Sequence, residues 1–225
     1  MKQNKKQKQF LEIAILGFII VISFFLWDTI IVFPIKLFVV LMHEISHGIA
    51  AILTGGKIIS MEINLNLGGK LESEGGTPFI IASAGYIGSF IFGAALFYSA
   101  YNKNHGVTII SSISIIILLF AVNVIEDFRL SLISIFSASL LFIISKFSPD
   151  KISSHIFKMI GLISCLYVLF DIKEDILSDS SINSDASFIA ELSGIPENVW
   201  GFIWLLISIV GIILLLRYGY KKGIK

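Results

Sequence analysis

The sequence predicts an all-α polytopic membrane protein of about 6–7 transmembrane helices, with a small cytoplasmic β-hairpin after the second helix. Three observations carry that prediction. First, 56% of the 225 residues are hydrophobic and only 15% are charged, against about 25% charged in a soluble domain. A chain with a mean hydropathy of +0.89 cannot cover its surface with polar groups, so lipid is its natural solvent. Second, the apolar residues fall in runs near the ~20 residues that a helical span needs. Third, one connection between runs alternates apolar and polar residues with a period of two, the signature of a strand.

The elements follow in order. The lysine-rich start, Met1 to Lys8, precedes an apolar run over 10–27 that ends in Leu26-Trp27-Asp28. With no small-residue cleavage pattern, that run reads as an uncleaved first membrane helix rather than a secretory signal. A second run covers 30–53. Between Gly55 and Gly76, Ile59, Met61, Ile63 and Leu65 alternate with polar residues, Gly68-Gly69 supplies a turn, and Lys70-Leu71-Glu72-Ser73 gives a return strand. Further runs cover 79–100, 107–124, 130–144, 156–170 and 199–216. The fifth and sixth are short for a span, which implies tilting, local thinning or a re-entrant path. Residues 171–198 are rich in Asp, Ser and Asn and read as a membrane-surface loop, with a short helix near 186–192. No internal repeat is visible and no soluble domain is left over, so residues 1–225 form a single membrane-embedded domain.

Charge and cysteine content exclude several classes. The net charge is +1 and no dense basic patch lies outside the tails, so nucleic acid is not a predicted partner. The single cysteine, Cys165, lies in an apolar run. It cannot form an internal disulfide and reads as a small buried hydrophobe. The isoleucine-rich composition, in which Arg129 and Arg217 are the only arginines beside many lysines, suggests a bacterial source and a bacterial cytoplasmic membrane.

Positive charge favours the cytoplasmic side, which places the lysine-rich N-terminus inside. Seven crossings from there put the hairpin and the 171–198 loop inside and the C-terminus outside. Arg217, Lys221, Lys222 and Lys225 pull that tail inside as well. An even number of crossings would satisfy both tails.

The second run carries the chemistry, in His43-Glu44-Ile45-Ser46-His47. On a helix, residues four apart stand one above the other, so His43 and His47 can both reach one zinc ion. Glu44, one position round, faces the water that such a metal would activate. Zinc lowers the pKa of bound water to about 7, and a carboxylate can take its proton as it attacks a peptide carbonyl. Ionisable residues inside an apolar helix are expensive and mark function by default. The competing reading is a set of polar residues that bond across the helix bundle without metal.

The surrounding residues resemble a known family. Leu41-Met42-His43-Glu44-Ile45-Ser46-His47-Gly48-Ile49-Ala50-Ala51, Leu53-Thr54-Gly55-Gly56 and Ala82-Ser83-Ala84-Gly85-Tyr86-Ile87-Gly88-Ser89 resemble the site-2 protease group of intramembrane zinc metallopeptidases, in its B-type bacterial branch. Asp171-Ile172-Lys173-Glu174-Asp175, Ser184-Asp185-Ala186, Gly194-Ile195-Pro196 and Val199-Trp200-Gly201 extend the resemblance to roughly residues 35–205. It implies zinc as cofactor, His43 and His47 as ligands, Glu44 as general acid and base, and a membrane-anchored polypeptide as substrate.

A catalytic zinc normally has three protein ligands and an open position. The Leu-Asp-Gly triplet that supplies the third ligand in the group's best-known pattern is missing here. Depth selects carboxylates predicted at the same interface as His47. Asp171 leads because it closes the sixth run directly after Tyr167-Val168-Leu169-Phe170 and falls in a stretch that resembles the branch. Asp175, one turn on, and Asp127, at the end of the fourth run, are the alternatives; Asp28 is excluded by its predicted depth.

The remaining polar residues read as bland. His105 and His155 sit in polar turns, Glu12 and Lys36 lie where side chains can snorkel to an interface, and Trp27, Tyr101, Trp200 and Tyr218 suit an aromatic belt. Trp204 is deeper and reads as packing. In the third run, Gly85, Ser89 and Gly93 recur every four residues, a spacing that lets helix backbones approach closely in lipid.

These features predict peptide-bond hydrolysis in or near the bilayer. The 55–76 hairpin offers an edge on which an unwound substrate strand could pair. The alternative is a non-proteolytic membrane protein of the same fold acting as a binding or regulatory component. A transporter ranks below both, because no polar path other than the zinc cluster crosses the apolar runs. Substrate identity and any regulatory partner are not legible.

Overall fold

The computed structural model describes residues 5–27, 29–64, 66–177 and 184–222, with residues 173–177 described by their backbone alone. Among these residues the elements run α1 (Lys5–Leu26), α2 (Phe33–Leu53), β1 (Lys57–Ile63), β2 (Gly69–Glu74), α3 (Pro78–Ser99), α4 (Lys103–Asn123), α5 (Phe128–Phe147), α6 (Asp150–Leu177), α7 (Asp185–Ser193) and α8 (Glu197–Lys222). All but α7 are long and apolar enough to cross a membrane. Their outward faces carry large exposed apolar side chains such as Phe18, Phe25, Phe136 and Leu214, as expected where lipid replaces water. The chain is an integral membrane protein of the predicted fold class. The short-span expectation for the fifth and sixth runs fails, since α5 has 20 residues and α6 has 28. Serines and lysines at their ends break the apolar count without breaking the helix.

Local chemistry marks the boundaries. Proline occupies the first turn of both α2 and α3, where its missing N–H would be unpaired anyway. The Asp127 carboxylate accepts from the Leu130 N–H and caps α5. Ser184 accepts from the Ser187 N–H and caps α7, which ends at Gly194 in the left-handed conformation.

α2 is the central helix. The side chains from Leu37 to Met42 are buried, and so are Glu44, Ile45, Ser46 and His47. It runs antiparallel to α3: the Thr54 hydroxyl accepts from the Thr77 N–H, and His47 bonds to the Ile81 carbonyl. α3 also packs closely on α6. A methyl group at Gly93 would meet Ser164, Cys165 and the Gly161 carbonyl, and one at Gly161 would meet the backbone of Gly93 and Phe97. The small residues of α3 thus serve two neighbours, with Gly85 and Gly88 against α2 and Gly93 against α6. Cys165 is buried there, as the sequence predicts.

The hairpin forms with β1 and β2 antiparallel, from Lys57 opposite Glu74 to Ile63 opposite Gly69. A register irregularity between Ile58 and Ser60 disturbs the predicted alternation: Met61 is fully buried, whereas Ile59 is 57% exposed. A bulge turns one residue out of phase. Leu65, the last of the predicted series, lies outside the described residues. Met61 also bridges to Ile125, so the hairpin sits at the end of the bundle where α4 passes to α5.

The two ends of the bundle can be told apart by their contacts. At one end, Tyr101, just after α3, donates to Glu12 of α1 (2.5 Å), and Asn102 donates to Tyr218 of α8 (2.6 Å). At the other lie the start of α3, the end of α6 and α7. α3 has 22 residues, so these ends are separated by about 33 Å of helix at 1.5 Å per residue. The N-terminal part of α1 and the C-terminal part of α8 therefore share one end, while the hairpin lies at the other. This corrects the predicted seven alternating crossings, which put the N-terminus and hairpin together and the C-terminus opposite. α1 begins at the tail end and reaches Tyr167 and Phe170 through Trp27. α2 nevertheless leaves the bundle at that same far end, so α1 and α2 together make one net passage. The connection between them turns inward, with Val32 buried and Lys36 lying 4.5 Å over the Trp27 ring.

Candidate metal centre

His43, Glu44 and His47 project from the C-terminal half of α2, and each offers a ligand atom within 4.8 Å of the others. Helical spacing brings the two imidazoles to the same face, with ring centres 4.7 Å apart. α3 closes over them because it has no side chain at the contact: a Cβ on Gly85 would overlap both rings. Tyr86 stands edge-on to His43, 5.3 Å between ring centres.

The outer nitrogens of the two histidines are held from behind. His47 Nδ1–H donates to the Ile81 carbonyl at 2.6 Å. A carbonyl can only accept, so that bond requires a proton on Nδ1, and in the neutral ring Nε2 then presents its lone pair to the cleft. Asp171, on α6, places Oδ2 3.6 Å from His43 Nδ1. It faces the ring nitrogen of His43 that Asp185 does not, and Asp171 too lines the cleft.

The third oxygen comes from α7. Asp185 Oδ2 lies 2.9 Å from His43 Nε2 and 3.1 Å from His47 Nε2. In a tetrahedral zinc site with bonds of 2.0–2.2 Å, ligand atoms stand about 3.3–3.6 Å apart, so a shared ion would spread these atoms by a few tenths of an ångström. A carboxylate oxygen facing two imidazole nitrogens is satisfied either by imidazole N–H groups donating to it or by a cation held between them. Burial alone would raise the pKa of Asp185, but His47 and His43 outweigh it and hold the carboxyl below the usual carboxylate range. Two imidazole nitrogens and one carboxylate oxygen form a donor set that zinc accepts.

The sequence-predicted residues are thus partly assembled. His43, Glu44 and His47 come together. Asp171 approaches the site, but at the rear of His43. Asp127 is engaged as the α5 cap. The side chain of Asp175 and the whole of Asp28 lie outside the described residues. Asp185 is the residue that ranking by depth missed, although Ser184-Asp185-Ala186 was one of the stretches carrying the family resemblance. Its signal was local: a serine cap followed by an acid in the first turn of a short helix. His105 and His155 are exposed, while Trp204 is 3% exposed and packs on Tyr86.

A cleft of about 1180 Å³ opens over the site, lined by α2, the start of α3, the end of α6, α7 and the hairpin from Leu67 to Gly76. β2 roofs it so closely that a Cβ on Gly69 would overlap the Glu44 carboxylate. The Glu44 side chain, 5% exposed, therefore sits between the histidine pair and an open strand.

A family model described as Peptidase M50B-like matches residues 16–215. The chain belongs to this family. The family is the site-2 protease group that the sequence motifs resemble, and it points to an intramembrane metallopeptidase. No curated protein and no solved structure matches the chain. The match takes in α2 to α7 whole and parts of α1 and α8, including the α7 segment that brings Asp185 to the histidines.

Proposed function

We propose that this M50B-like protein is a zinc metallopeptidase that hydrolyses a peptide bond in or near the transmembrane segment of a membrane-anchored polypeptide. The observation that carries the reading is the Asp185 oxygen placed within 3.1 Å of both cleft-facing imidazole nitrogens, where one cation can take the place of the protons these groups otherwise share. His43, His47 and Asp185 hold the metal, and Asp171 orients His43 through its other nitrogen. Zinc bound there supplies a water acidified to a pKa of about 7 and a Lewis acid for the scissile carbonyl. Glu44 takes the proton of the attacking water and returns it to the leaving amine, so one water is consumed and two chain ends are released.

The hairpin supplies the substrate platform. In the two-stranded sheet, β1 holds one edge of β2, and Lys70, Leu71, Glu72 and Ser73 of β2 line the cleft. A helix is closed to attack by its own hydrogen bonds. A locally unwound segment can instead pair with the free edge of β2 and lay its carbonyl beside Glu44. The absent Leu-Asp-Gly triplet, which favoured a non-proteolytic role, loses its weight because Asp185 offers a third ligand from elsewhere in the chain.

The test uses purified protein in lipid vesicles with a single-span polypeptide whose helix is interrupted by glycine and proline. Cleavage is expected from wild type, lost on chelation, restored by zinc, and absent from Glu44→Gln. Zinc-loaded protein that cleaves no such polypeptide, with a cellular phenotype that survives Glu44→Gln, would establish the binding or regulatory role instead.

A further inference from the structure

The bundle's two ends differ in how their charges are matched. At the tail end, α1 starts with Lys5, Lys6 and Lys8, and α8 finishes with Arg217, Lys221 and Lys222. Packing brings the two groups to the same end. A Cβ on Gly219 of α8 would meet Leu16 of α1 and the Tyr101 hydroxyl, and Tyr101 donates to Glu12 of α1. Among the described residues the acids at this end are Glu12 and Asp150, and each is already paired, with Lys158 and Lys103. The six terminal cations are therefore left without an acidic partner among the described residues. At the site end the signs are mixed, with Lys57, Lys70 and Arg129 standing among Glu62, Glu72, Glu74 and Glu126.

Depth identifies what can neutralise them. Lys8 lies two residues before Phe10, which is 77% exposed, and Arg217 lies three residues after Leu214, which is 57% exposed. Both apolar side chains belong to helices that are long and apolar enough to cross a membrane. Two or three residues of helix rise only about 3–4.5 Å, so the cations begin where lipid contact ends. Lysine and arginine stems lie along apolar surface and carry their charge into the headgroup layer. Lys222 Nζ rests 5.6 Å from the centre of the Tyr218 ring, and Asn102 donates to the Tyr218 hydroxyl, an arrangement that suits the membrane boundary. A soluble acidic partner would have to reach into this layer, whereas lipid phosphates already occupy it.

We propose that the tail end binds anionic phospholipid, with headgroup phosphates held between the first turns of α1 and the last turns of α8. Clusters of about 4–8 basic residues beside a span attract acidic lipid, and here two helices distant in sequence supply the six. Bridging phosphates also relieve the repulsion between two like-charged helix ends. The lipid thereby fastens α1 to α8 at the end remote from the metal centre. This binding depends neither on the peptidase reading nor on which leaflet meets the tail end.

The test reconstitutes the full chain in phosphatidylcholine vesicles that carry a trace of spin-labelled phosphatidylglycerol or spin-labelled phosphatidylcholine. The motionally restricted fraction of each label gives their relative association with the protein. Phosphatidylglycerol is expected to be favoured about fivefold or more, the selectivity that a single cation near the surface already confers. The variant carrying Lys5→Gln, Lys6→Gln, Lys8→Gln, Arg217→Gln, Lys221→Gln and Lys222→Gln is expected to hold both labels alike. At the site end, Lys57→Gln with Arg129→Gln is expected to keep the preference. A milder variant, Lys6→Gln with Lys221→Gln at two exposed positions, is expected to lower it part-way, and thermal unfolding in the same vesicles checks that each variant is folded. Equal association in wild type would overturn the proposal. So would a preference that survives the six substitutions, or one that falls as far in the site-end variant. Inorganic phosphate added at constant ionic strength is expected to leave the preference intact; its loss would reveal a site for free phosphate and overturn the lipid assignment.

Discussion

The molecule buries charge at both ends, and the two clusters are built on opposite terms. At the tail end, Lys158 Nζ lies 2.6 Å from Glu12 Oε1, Tyr101 donates to the same oxygen, and the ammonium rests 4.5 Å over the Tyr101 ring. Cation, anion, donor and ring are matched, so the group is complete as it stands. At the site end, a carboxylate oxygen faces the cleft-side nitrogen of His47, and a second carboxylate lies beside the other ring. That group leaves its centre to be filled by a proton or a cation. The difference separates structural from functional polarity in lipid better than burial does, since both clusters are buried. It also corrects the expectation that Glu12 snorkels: it is 8% exposed and paired across three elements.

The comparison can be broken most severely at Glu44. Glu44→Gln should lower cleavage by about 10²–10⁴-fold, the usual contribution of a general acid–base group, while zinc stays bound. Cleavage assays and metal analysis on the same sample check this, and retained activity would remove Glu44 from the chemistry. At the opposite end, Lys158→Met leaves Glu12 buried without its cation. That loss should cost about 3–5 kcal/mol of stability, read by thermal unfolding in detergent, with zinc content unchanged in the folded fraction. If zinc fell instead, the two clusters would not be independent.

A smaller effect is expected behind the site. Asp171→Asn should weaken zinc affinity by about 10–100-fold, the range for a group that orients a ligating histidine, as measured by competition with a chelator. The smallest concerns β2. N–H groups alternate between the two edges of a strand, so one of Leu71→Pro and Glu72→Pro removes a donor from the free edge. The account predicts a several-fold loss of cleavage in that variant without loss of zinc.

How much of this was legible beforehand follows from the range of each signal. The spans, the hairpin and the His43-Glu44-His47 constellation are local patterns of period 3.6 or 2, and each is found where the sequence puts it. The count of long apolar helices is as the sequence predicts, but the side of the N-terminus was not legible, because α1 and α2 look like ordinary spans and only the contacts of Glu12 and Trp27 place their ends. The third carboxylate was open for a similar reason. Asp171 lies at the end of a long apolar run and reads as deep. Asp185 lies in a polar stretch, and nothing in its spacing records that α7 folds back under α3. Both points concern residues distant in sequence, where periodicity carries no information. The sequence resemblance pointed at the Ser184-Asp185-Ala186 stretch without giving it a role.

The central claim is that Asp185, rather than Asp171, completes the metal centre. The direct measurement is zinc per chain in purified wild type, Asp185→Ala and Asp171→Asn, each dialysed against the same weak chelator. The account predicts about one zinc in wild type, the stoichiometry of a single three-ligand site, a lower but measurable content in Asp171→Asn, and none in Asp185→Ala. Zinc retained by Asp185→Ala and lost from Asp171→Asn would contradict it and return the third position to α6.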